Sequence, residues 1–492
     1  MTNQIRKEII QGFKLHGLTL KSDAMHYLIE ILEPITDVSR QDCIDRLIEV
    51  IEKQPLHTQL ITKELCEAAV EDCNSEQRSK REDILHVIDT FEVPKLLFKK
   101  TGKKTKDGVL FGDASAKTSV FLERFNLIHQ LKPIEYLLGS SAKLGDIIVL
   151  GLLSRLKHDK WYLEDATGSI PLNLHNALFH TGLFTEGCIV LAEGTFDDGI
   201  FDIKNLGFPP PESATNTQAY IGNINSFGGP GSESVRGDEI LLNYEKHNEN
   251  AMFVFLSDVW LDDTTVLDKL QTMLTGFESI APVAFVIGGN FCSKPYGSDH
   301  FTTILKSFRV FVDIICEFSS IRSNSNFIFV PGPDDLTPSG RLVPKAGLFQ
   351  SIRAYAEEKL EKVFFATNPA RIRYCTQEIV FFREDLTFKL CRNCVKFPKE
   401  DDLTDHIART IASQAHLAPL PLHVLPVFWS HDAALRLYPL PDLVVIADRY
   451  KAYNCTVAEC NIINPGSFPR SSFGFKVYYP SSKQVEDCQI DN

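Results

Sequence analysis

Acidic side chains follow three apolar runs in the C-terminal half of the chain. Asp258 follows AMFVFLS, the pair Asp334 and Asp335 follows NFIFVPGP, and Asp448 follows LVVIA. Such runs indicate strands buried on both faces, and the carboxyl ends of parallel strands place polar loops at one edge of a sheet. Carboxylates grouped at one edge could coordinate a divalent cation such as Mg²⁺. The spacing therefore permits metal-dependent phosphate chemistry.

A fourth apolar run, VAFVIGGN, ends in Gly289 and Asn290 and lacks an acidic side chain. Hydrolases with two metal ions hold the cations about 3.5–4 Å apart, with carboxylate, imidazole and amide ligands. In order along the chain, the four loops resemble those of the calcineurin-like phosphoesterases, which read D-x-H, G-D, G-N-H-D/E, a further His, and G-H-x-H. The resemblance implies an α/β sandwich over residues 213–492.

Within this resemblance, residues that cannot bind metal occupy most ligand positions. Asp258 matches the first aspartate, but Trp260 replaces the histidine of that loop, and Gly289 replaces the aspartate that bridges both metal ions. The third loop keeps its VPG frame, but Pro333 replaces the asparagine and Asp334 the histidine. A bridging carboxylate offsets charge on both cations, so its loss predicts absent catalysis and not merely weakened catalysis.

The last loop of the series has also lost its histidines. Asp448 and Tyr450 occupy their positions, and Arg449 places a positive charge near the former metal pocket. Further on, NPGSFPR resembles the turn that follows this loop in active enzymes; the isolated histidine loop has no identified counterpart. We therefore expect no catalytic residue, no bound metal and no cofactor. The expected degenerate metal site consists of Asp258, Trp260, Gly289, Asn290, Pro333, Asp334, Asp335, Asp448 and Tyr450.

Trp260 and Arg449 are candidates for a protein interface. Once no metal has to be held, loops at strand ends are free to pack against a partner, and a large aromatic side chain is a rigid anchor of the kind that interfaces favour. Replacement of His by Trp removes a ligand and adds apolar area. We therefore expect this edge of the sandwich to serve binding and not hydrolysis.

The remainder of the chain divides into three blocks. Residues 1–73 carry apolar residues at helical spacing, among them Ile9, Phe13 and Leu28, which predict a helical N-terminal domain. Residues 74–118 are polar and charged, with a Lys-rich run, and are typical of a linker. Within this linker, a short apolar helix is predicted from Ile84 to Phe91.

Residues 119–212 change from helical to strand patterns. About five β-rich runs within about 90 residues predict a small closed barrel of the oligonucleotide/oligosaccharide-binding type. Asp165 and Gly168 are placed to form a tight turn between two strands. Trp161 and Arg155 could contact a single strand, although acidic neighbours favour a packing role. The expected fold class is thus α+β, with a helical domain, this barrel and a phosphoesterase-like α/β sandwich that lacks its metal site.

Composition excludes several classes of function. The 492 residues carry a formal net charge of −13, which argues against coating nucleic acid by bulk charge. Neither a signal-like stretch nor a run of about 18 apolar residues occurs, so we expect no membrane partner. The 12 cysteines are scattered, as in an intracellular protein with reduced thiols. Cys391 and Cys394 form a lone CxxC, which supplies only two of the four ligands of a structural zinc site.

A barrel followed by a disabled phosphoesterase resembles the B subunits of the replicative DNA polymerases. FKLHGLTLKSDAMHYL, YLEDATGSIPLNL, TNPARIRYCTQEIVFFREDL, CRNCVKFP and NPGSFPR are similar to the epsilon branch of this family. The resemblance implies a non-catalytic subunit in the nucleus. Its implied partners are the C-terminal domain of the catalytic subunit of DNA polymerase epsilon, the replicative helicase at the GINS complex through residues 1–73, and the small histone-fold subunits. DNA within the assembly is a further implied contact.

Three alternatives remain open from the sequence. The chain could be an active metal-dependent phosphoesterase with a variant metal site. It could be a free-standing single-strand binder acting through its barrel, which predicts salt-dependent affinity for oligonucleotides. It could also be the B subunit of another replicative polymerase. Stoichiometric metal in the purified protein would support the first alternative.

Overall fold

The fold was taken from a computed structural model, which describes residues 6, 9, 13–14, 18–32, 48, 60–61, 63, 66, 84–95, 114–127, 134, 144–157, 160–399 and 402–490. The chain divides into two compact units, Met1–Leu85 and His86–Asn492. Among the described helices, none is both long enough and apolar enough to cross a membrane.

In the described part of the first unit, one helix and a small parallel strand pair have both of their ends defined. Strand β1 (Thr19–Leu20) pairs with β2 (Leu60–Ile61), and helix α1 spans Ser22–Leu32. Ile9, Phe13 and Leu28 are buried. The helical pattern is therefore confirmed for α1, whereas most of the other predicted helices lie outside the described residues. The strand pair was not predicted.

Part of the predicted linker is a strand. Leu85–Ile88 form β3, at the edge of a six-stranded sheet, and a 3₁₀ turn follows at Thr90–Glu92. The predicted helix over Ile84–Phe91 is therefore wrong. So short an apolar run fits either conformation, and here pairing with a sheet edge decides the outcome. Helix α2 (Ala114–Leu127) also begins within this segment.

A closed barrel follows helix α2. Its strands are β4 (Leu144–Lys157), β5 (Lys160–Glu164), β6 (Ser169–Asn173), β7 (Leu178–Phe179), β8 (Ile189–Asp197) and β9 (Ile200–Gly207). They are ordered β6-β5-β4-β8-β9-β7, and pairing of β6 with β9 closes the barrel. The predicted barrel is thus confirmed.

The predicted turn at Asp165 joins β5 to β6. The Asp165 N–H donates to the carbonyl oxygen of Gly168, and the Asp165 carboxylate accepts from the N–H groups of Thr167 and Gly168 at 2.7 and 3.0 Å. Its other oxygen accepts from the Ile134 N–H at 2.7 Å. One aspartate therefore fixes the turn and the segment that precedes the barrel.

The elements of the sandwich, in chain order, are α3 (Ala214–Ile221), α4 (Glu239–His247), β10 (Phe253–Leu256), α5 (Thr264–Phe277), β11 (Ala284–Gly288), α6 (His300–Glu317), α7 (Ser319–Asn324), β12 (Asn326–Val330), α8 (Gln350–Lys359), β13 (Val363–Phe365), β14 (Ala370–Tyr374), β15 (Gln377–Arg383), α9 (Leu386–Asn393), α10 (Leu403–Gln414), β16 (Leu443–Ala447), β17 (Tyr453–Val457), β18 (Cys460–Asn464), β19 (Gly474–Tyr479) and β20 (Gln484–Gln489).

Two six-stranded sheets form the sandwich, ordered β13-β12-β11-β10-β19-β20 and β17-β18-β16-β15-β14-β3. Their inner faces meet through aromatic rings: Phe253 packs edge-on against Tyr374, and Phe255 stacks on Phe381. Helices α5, α6 and α8 cover the outer face of the first sheet, and α9 and α10 that of the second. This layer order agrees with the predicted α/β sandwich.

Barrel and sandwich are joined by buried hydrogen bonds within the second unit. The Gln414 side chain accepts from the Ile189 N–H at 2.7 Å and donates to the Ile189 carbonyl oxygen at 2.8 Å. The Leu183 N–H donates to Thr410 Oγ1 at 2.8 Å, and the Val395 N–H donates to the Phe184 carbonyl oxygen. Because these contacts use backbone groups of the barrel, they fix its orientation on the sandwich.

Candidate functional site: the strand-end cluster

The carboxyl ends of six strands converge at one edge of the sandwich. Strands β10, β11 and β12 are parallel in the first sheet, and β15, β16 and β18 are parallel in the second. Hydrogen bonds from the end of β15 reach the loop after β10 and the end of β16, so the two sheets close on each other here. We call the charged residues at this point, Asp258, Arg383, Asp385 and Arg449, the strand-end cluster.

Arg383 lies at the centre of the cluster, and its side chain is fully buried. Its guanidinium donates to the carbonyl oxygen of Gly289, to the carbonyl oxygen of Ala447 at 3.0 Å, to Asp385 Oδ1 at 2.9 Å and to Asp258 Oδ1 at 3.3 Å. Burial disfavours the charge, but Asp385 and Asp258 hold the pKa of the Arg383 guanidinium above its usual value. A fixed positive charge therefore occupies this point.

Asp258 is also fully buried, and its backbone has a φ of 58°. Ser467 Oγ donates to its Oδ2 at 2.7 Å, and its own N–H donates to the carbonyl oxygen of Gly289. The Arg449 Nε lies 3.4 Å from the same carboxylate. Both carboxylate oxygens of Asp258 thus have a partner, either an arginine or a hydroxyl.

Gly289 has no room for a side chain. A Cβ built there would lie 1.8 Å from Asp335 Oδ2 and 2.8 Å from the Gly332 nitrogen. The buried Asp335 carboxylate accepts from the N–H groups of Phe291 and Gly332 at 2.9 and 2.7 Å, and burial raises its pKa. Asp335 therefore fills the volume into which a side chain at position 289 would project.

A buried lysine anchors the loop after β12 by hydrogen bonds to its carbonyl oxygens. Lys345 Nζ donates to the carbonyl oxygens of Gly332 and Pro333 at 2.7 and 2.8 Å. Burial lowers the pKa of this lysine to about 8, and the charge of Asp335 partly offsets that effect. Asn290 accepts from the Asp334 N–H at 3.0 Å, whereas the Asp334 side chain pairs with the largely exposed Arg341.

Both carboxylate oxygens of Asp448 are held by backbone groups. Its carboxylate accepts from the N–H groups of Thr387 and Tyr450 at 2.7 and 2.9 Å, and burial raises its pKa. Tyr450 packs against the core beneath the second sheet. Each of Asp258, Asp334, Asp335 and Asp448 thus has partners of its own, and among the described residues they do not form a group that could hold Mg²⁺.

The structure places the two interface candidates differently. Arg449 lies at the cluster, 3.6 Å from Asp385 Oδ2, with about a third of its side chain exposed. Trp260 is partly buried against the core of the first sheet, and the guanidinium of Arg470 lies over its ring at 5.1 Å. Both are accessible in part, but Trp260 also contributes to local packing.

The residues at this edge do not fit a metal centre. Two arginines already neutralise Asp258 and Asp385, and none of the six strand ends carries an imidazole. Across the part of the chain that the structure describes, three or more His, Cys, Asp or Glu side chains are nowhere grouped to hold a metal ion. Hydrolysis that depends on metal-activated water has no support in this geometry.

Arg383, Asp385 and Lys345 were not identified from the sequence. Arg383 ends strand β15 beside β16, which is the strand end left for the isolated histidine loop. A signal was present, because FFRED places an arginine and two acids after an apolar run, as in the other loops. The sequence carried no signal for Lys345, because a single lysine in a loop is normally exposed.

Cys391 lies on helix α9, and Cys394 is the first residue after the end of this helix. Cys394 Sγ donates to the Cys391 carbonyl oxygen at 3.1 Å. Burial raises the pKa of the Cys391 thiol to about 11. Protonated thiols are poor metal ligands, so the pair is best described as two ordinary thiols.

Comparisons with known proteins cover almost the whole chain. Residues 253–455 match the family model of the B subunit of DNA polymerases alpha and epsilon, residues 123–210 match "DNA polymerase epsilon subunit 2-like, OB-fold domain", and residues 1–73 match "DNA polymerases epsilon N terminal". DNA polymerase epsilon subunit 2 of Homo sapiens is 44% identical over 521 residues, covering 99% of each chain. DNA polymerase epsilon subunit 2 of Drosophila melanogaster is 33% identical over 518 residues, covering 99% of this chain and 98% of the other.

Solved structures give a weaker likeness. TT1561 of Thermus thermophilus is 11% identical with a TM-score of 0.29, and a novel archaeal phosphodiesterase is 12% identical with a TM-score of 0.25. Each match covers 49% of this chain and 99% of the other. The sandwich itself is defined by the strand pairing given above.

The fold is thus an oligonucleotide/oligosaccharide-binding barrel joined by hydrogen bonds to an α/β sandwich whose strand-end aspartates are paired with arginines. The chain belongs to the B-subunit family of the replicative DNA polymerases, in its epsilon branch. This family is a non-catalytic one, so the predicted family and the predicted lack of enzymatic activity are confirmed.

Proposed function

We propose that this chain binds the C-terminal domain of the catalytic subunit of DNA polymerase epsilon through its barrel and sandwich, and links the polymerase to the replicative helicase through residues 1–73. The observation that carries the proposal is the closed strand-end cluster, which leaves the second unit without hydrolytic chemistry. The buried hydrogen bonds that join the barrel to the sandwich suit a rigid scaffold.

Co-purification from nuclear extract tests both halves of the proposal. The tagged full chain should recover the catalytic subunit, the small histone-fold subunits and GINS. A chain lacking residues 1–73 should lose GINS and still recover the catalytic subunit, because the second unit is compact by itself. Loss of both partners from the shortened chain would contradict this division of labour, and recovery of neither by the full chain would overturn the function.

Trp260 and Arg449 supply a finer test of where this chain contacts the catalytic subunit. Trp260→Ala removes aromatic area that is partly exposed at the edge of the cluster, and should reduce recovery of the catalytic subunit at least tenfold if it anchors the interface. Trp429→Ala, in a partly buried 3₁₀ segment of the second unit, is the control. Unchanged assembly with a lowered melting temperature would assign Trp260 to local packing alone.

A contact with DNA is a second candidate for the barrel. A cavity of about 540 Å³ lies between barrel and sandwich, lined in part by Arg155, Trp161, Arg392 and His423. The Arg155 guanidinium lies over the Trp161 ring at 5.7 Å, and aromatic rings beside arginines are platforms on which bases stack. Salt-dependent binding of a single-stranded oligonucleotide by the full chain, lost in Trp161→Ala, would support it; absence of binding at low salt would exclude it.

A further inference from the structure

Four oxygen atoms converge on the guanidinium of Arg383. Asp385 Oδ1 lies 2.9 Å from Nη1, the carbonyl oxygen of Ala447 3.0 Å from Nη1, and Asp258 Oδ1 3.3 Å from Nη2, while the Gly289 carbonyl oxygen accepts from Nε. Two carboxylates and two carbonyls are ligand types that hard divalent cations prefer. The chemistry of this pocket is that of a cation site, and a protein side chain is the cation.

The charges within the strand-end cluster are equal and opposite. Asp258 and Asp385 carry two negative charges, and Arg383 and Arg449 carry two positive charges in contact with them. An unmatched charge at a fully buried position such as Asp258 strongly destabilises the folded chain. Two guanidinium groups carry the same charge as one divalent cation, so either arrangement satisfies the two carboxylates.

Neighbouring titratable groups have partners of their own. The two oxygens of Asp335 accept from backbone N–H groups, and Lys345 is the cation nearest to it. The two oxygens of Asp448 likewise accept from backbone N–H groups. Glu384 pairs with Lys389 at 2.8 Å. Among the hydrogen bonds of the described residues, none joins these three carboxylates to the Arg383 guanidinium, although the charge of Asp448 acts on it from a distance.

We propose that Arg383 and Arg449 together replace one divalent cation at the strand-end cluster, so that removal of both arginines turns Asp258, Asp385 and the two carbonyls into a divalent-cation site. The paired charges then hold the strand-end cluster in its fixed arrangement. This inference rests on the contacts of the cluster. It goes beyond the accessory role and is independent of which partner the chain binds.

Titration of the full chain with Mn²⁺ tests it. The variant Arg383→Ala/Arg449→Ala should bind one Mn²⁺ per chain by calorimetry, with a rise in melting temperature, whereas the wild-type chain should bind none. Each single variant should bind at least tenfold more weakly, since one arginine still competes. Addition of Asp258→Asn to the double variant should abolish binding, because half of the negative charge is then lost.

Arg371→Ala provides a matched control. Arg371 is also a buried arginine, but its guanidinium donates to the carbonyl oxygens of Phe227, Ala434 and Arg436 and has no hydrogen bond to a carboxylate among those described. Its removal opens a void lined by carbonyl oxygens, and the nearby Glu378 carboxylate keeps its pairing with Arg236 at 2.6 Å, so Mn²⁺ should not stabilise this variant. Equal Mn²⁺ binding by this control or by the wild-type chain, or none by the folded double variant, would overturn the proposal.

A second comparison decides the matter should the double variant fail to fold. Arg449→Ala leaves the cluster with one excess negative charge, and Arg449→Ala/Asp385→Asn restores equality at side chains that are each about a third exposed. The charge-balanced variant should melt at a higher temperature than Arg449→Ala. A lower melting temperature would contradict charge equality as the principle of the cluster.

Discussion

At the residue scale, the loss of the metal site depends on which side chain fills the space beside Gly289, and a sequence does not show this. Gly289 could be recognised as a missing aspartate, because the surrounding loop matched a known series. That Asp335 would fill the same volume could not be foreseen, since it depends on the path of a loop 46 residues further along the chain. The same holds for Arg383, whose role follows from the approach of two sheets.

The substitution Gly289→Ala should destabilise the second unit by about 1–3 kcal/mol, because the added methyl group would overlap the Asp335 carboxylate. Gly276→Ala is the control, since nothing lies within 4 Å of a Cβ there and helix α5 should gain roughly 0.5 kcal/mol from alanine. Thermal melting of both variants measures the difference. Equal melting temperatures would show that the loop after β12 yields to the methyl group.

At the element scale, sequence patterns identified the long and repetitive features. The buried strands β10, β11, β12 and β16 and the barrel were predicted because their apolar runs and turns are distinct. Strand β3 was mistaken for a helix, because a run of four residues has no measurable period and its pairing partner, β14, is far away in sequence. Such elements are defined by tertiary contacts alone.

Thr90 makes strand β3 part of the sandwich and not part of a linker. Its hydroxyl and its N–H both donate to Thr367 Oγ1, at 2.8 and 3.2 Å. Thr90→Val should lower stability by about 1–2 kcal/mol, because a buried acceptor loses a donor. Thr272→Val, which removes an exposed hydroxyl on helix α5, should change it by less than about 0.5 kcal/mol. Protease cleavage near residue 90 should increase in the first variant only.

At the scale of the whole second unit, a buried ion cluster joins helix α2 to the sandwich. Arg124 pairs with Asp432 at 2.5 Å, and Arg436 contacts Asp432 and Glu123 at 3.1 and 2.6 Å. His416 Nε2 lies 3.2 Å from Asp432, and its Nδ1 accepts from the Ala418 N–H, so the ring is neutral with its proton on Nε2. Lys95 also faces Glu123, at 2.9 Å.

This cluster should make the second unit sensitive to mild acid. Burial and the charge of Arg124 lower the pKa of His416 to about 4, below its usual value of 6.5. Between pH 6.5 and 4 the unfolded chain therefore binds a proton that the folded chain does not, so stability falls as pH decreases, by about 2 kcal/mol at pH 5. Between pH 7 and pH 5, the melting temperature of His416→Gln should decrease less than that of the wild-type chain. Equal losses would assign the effect to other histidines.

The union of barrel and sandwich depends on Gln414. Gln414→Leu leaves both backbone groups of Ile189 unpaired in a buried interface, at a cost of about 1–3 kcal/mol for each group. Hydrogen exchange at the start of β8 should accelerate, and recovery of the catalytic subunit should decrease. Gln271→Leu, on the exposed face of α5, is the control. Unchanged exchange at β8 would mean that apolar packing alone holds the barrel.

The packing of Asp335 against Gly289 also bears on any attempt to rebuild a metal ligand. On the present backbone, a side chain at position 289 would overlap the Asp335 carboxylate, which anchors its loop through the N–H groups of Phe291 and Gly332. An aspartate at position 289 therefore needs a shift of the loop after β12 as well as the substitution itself. Recovery of a bridging carboxylate is a change of two loops and not of one residue.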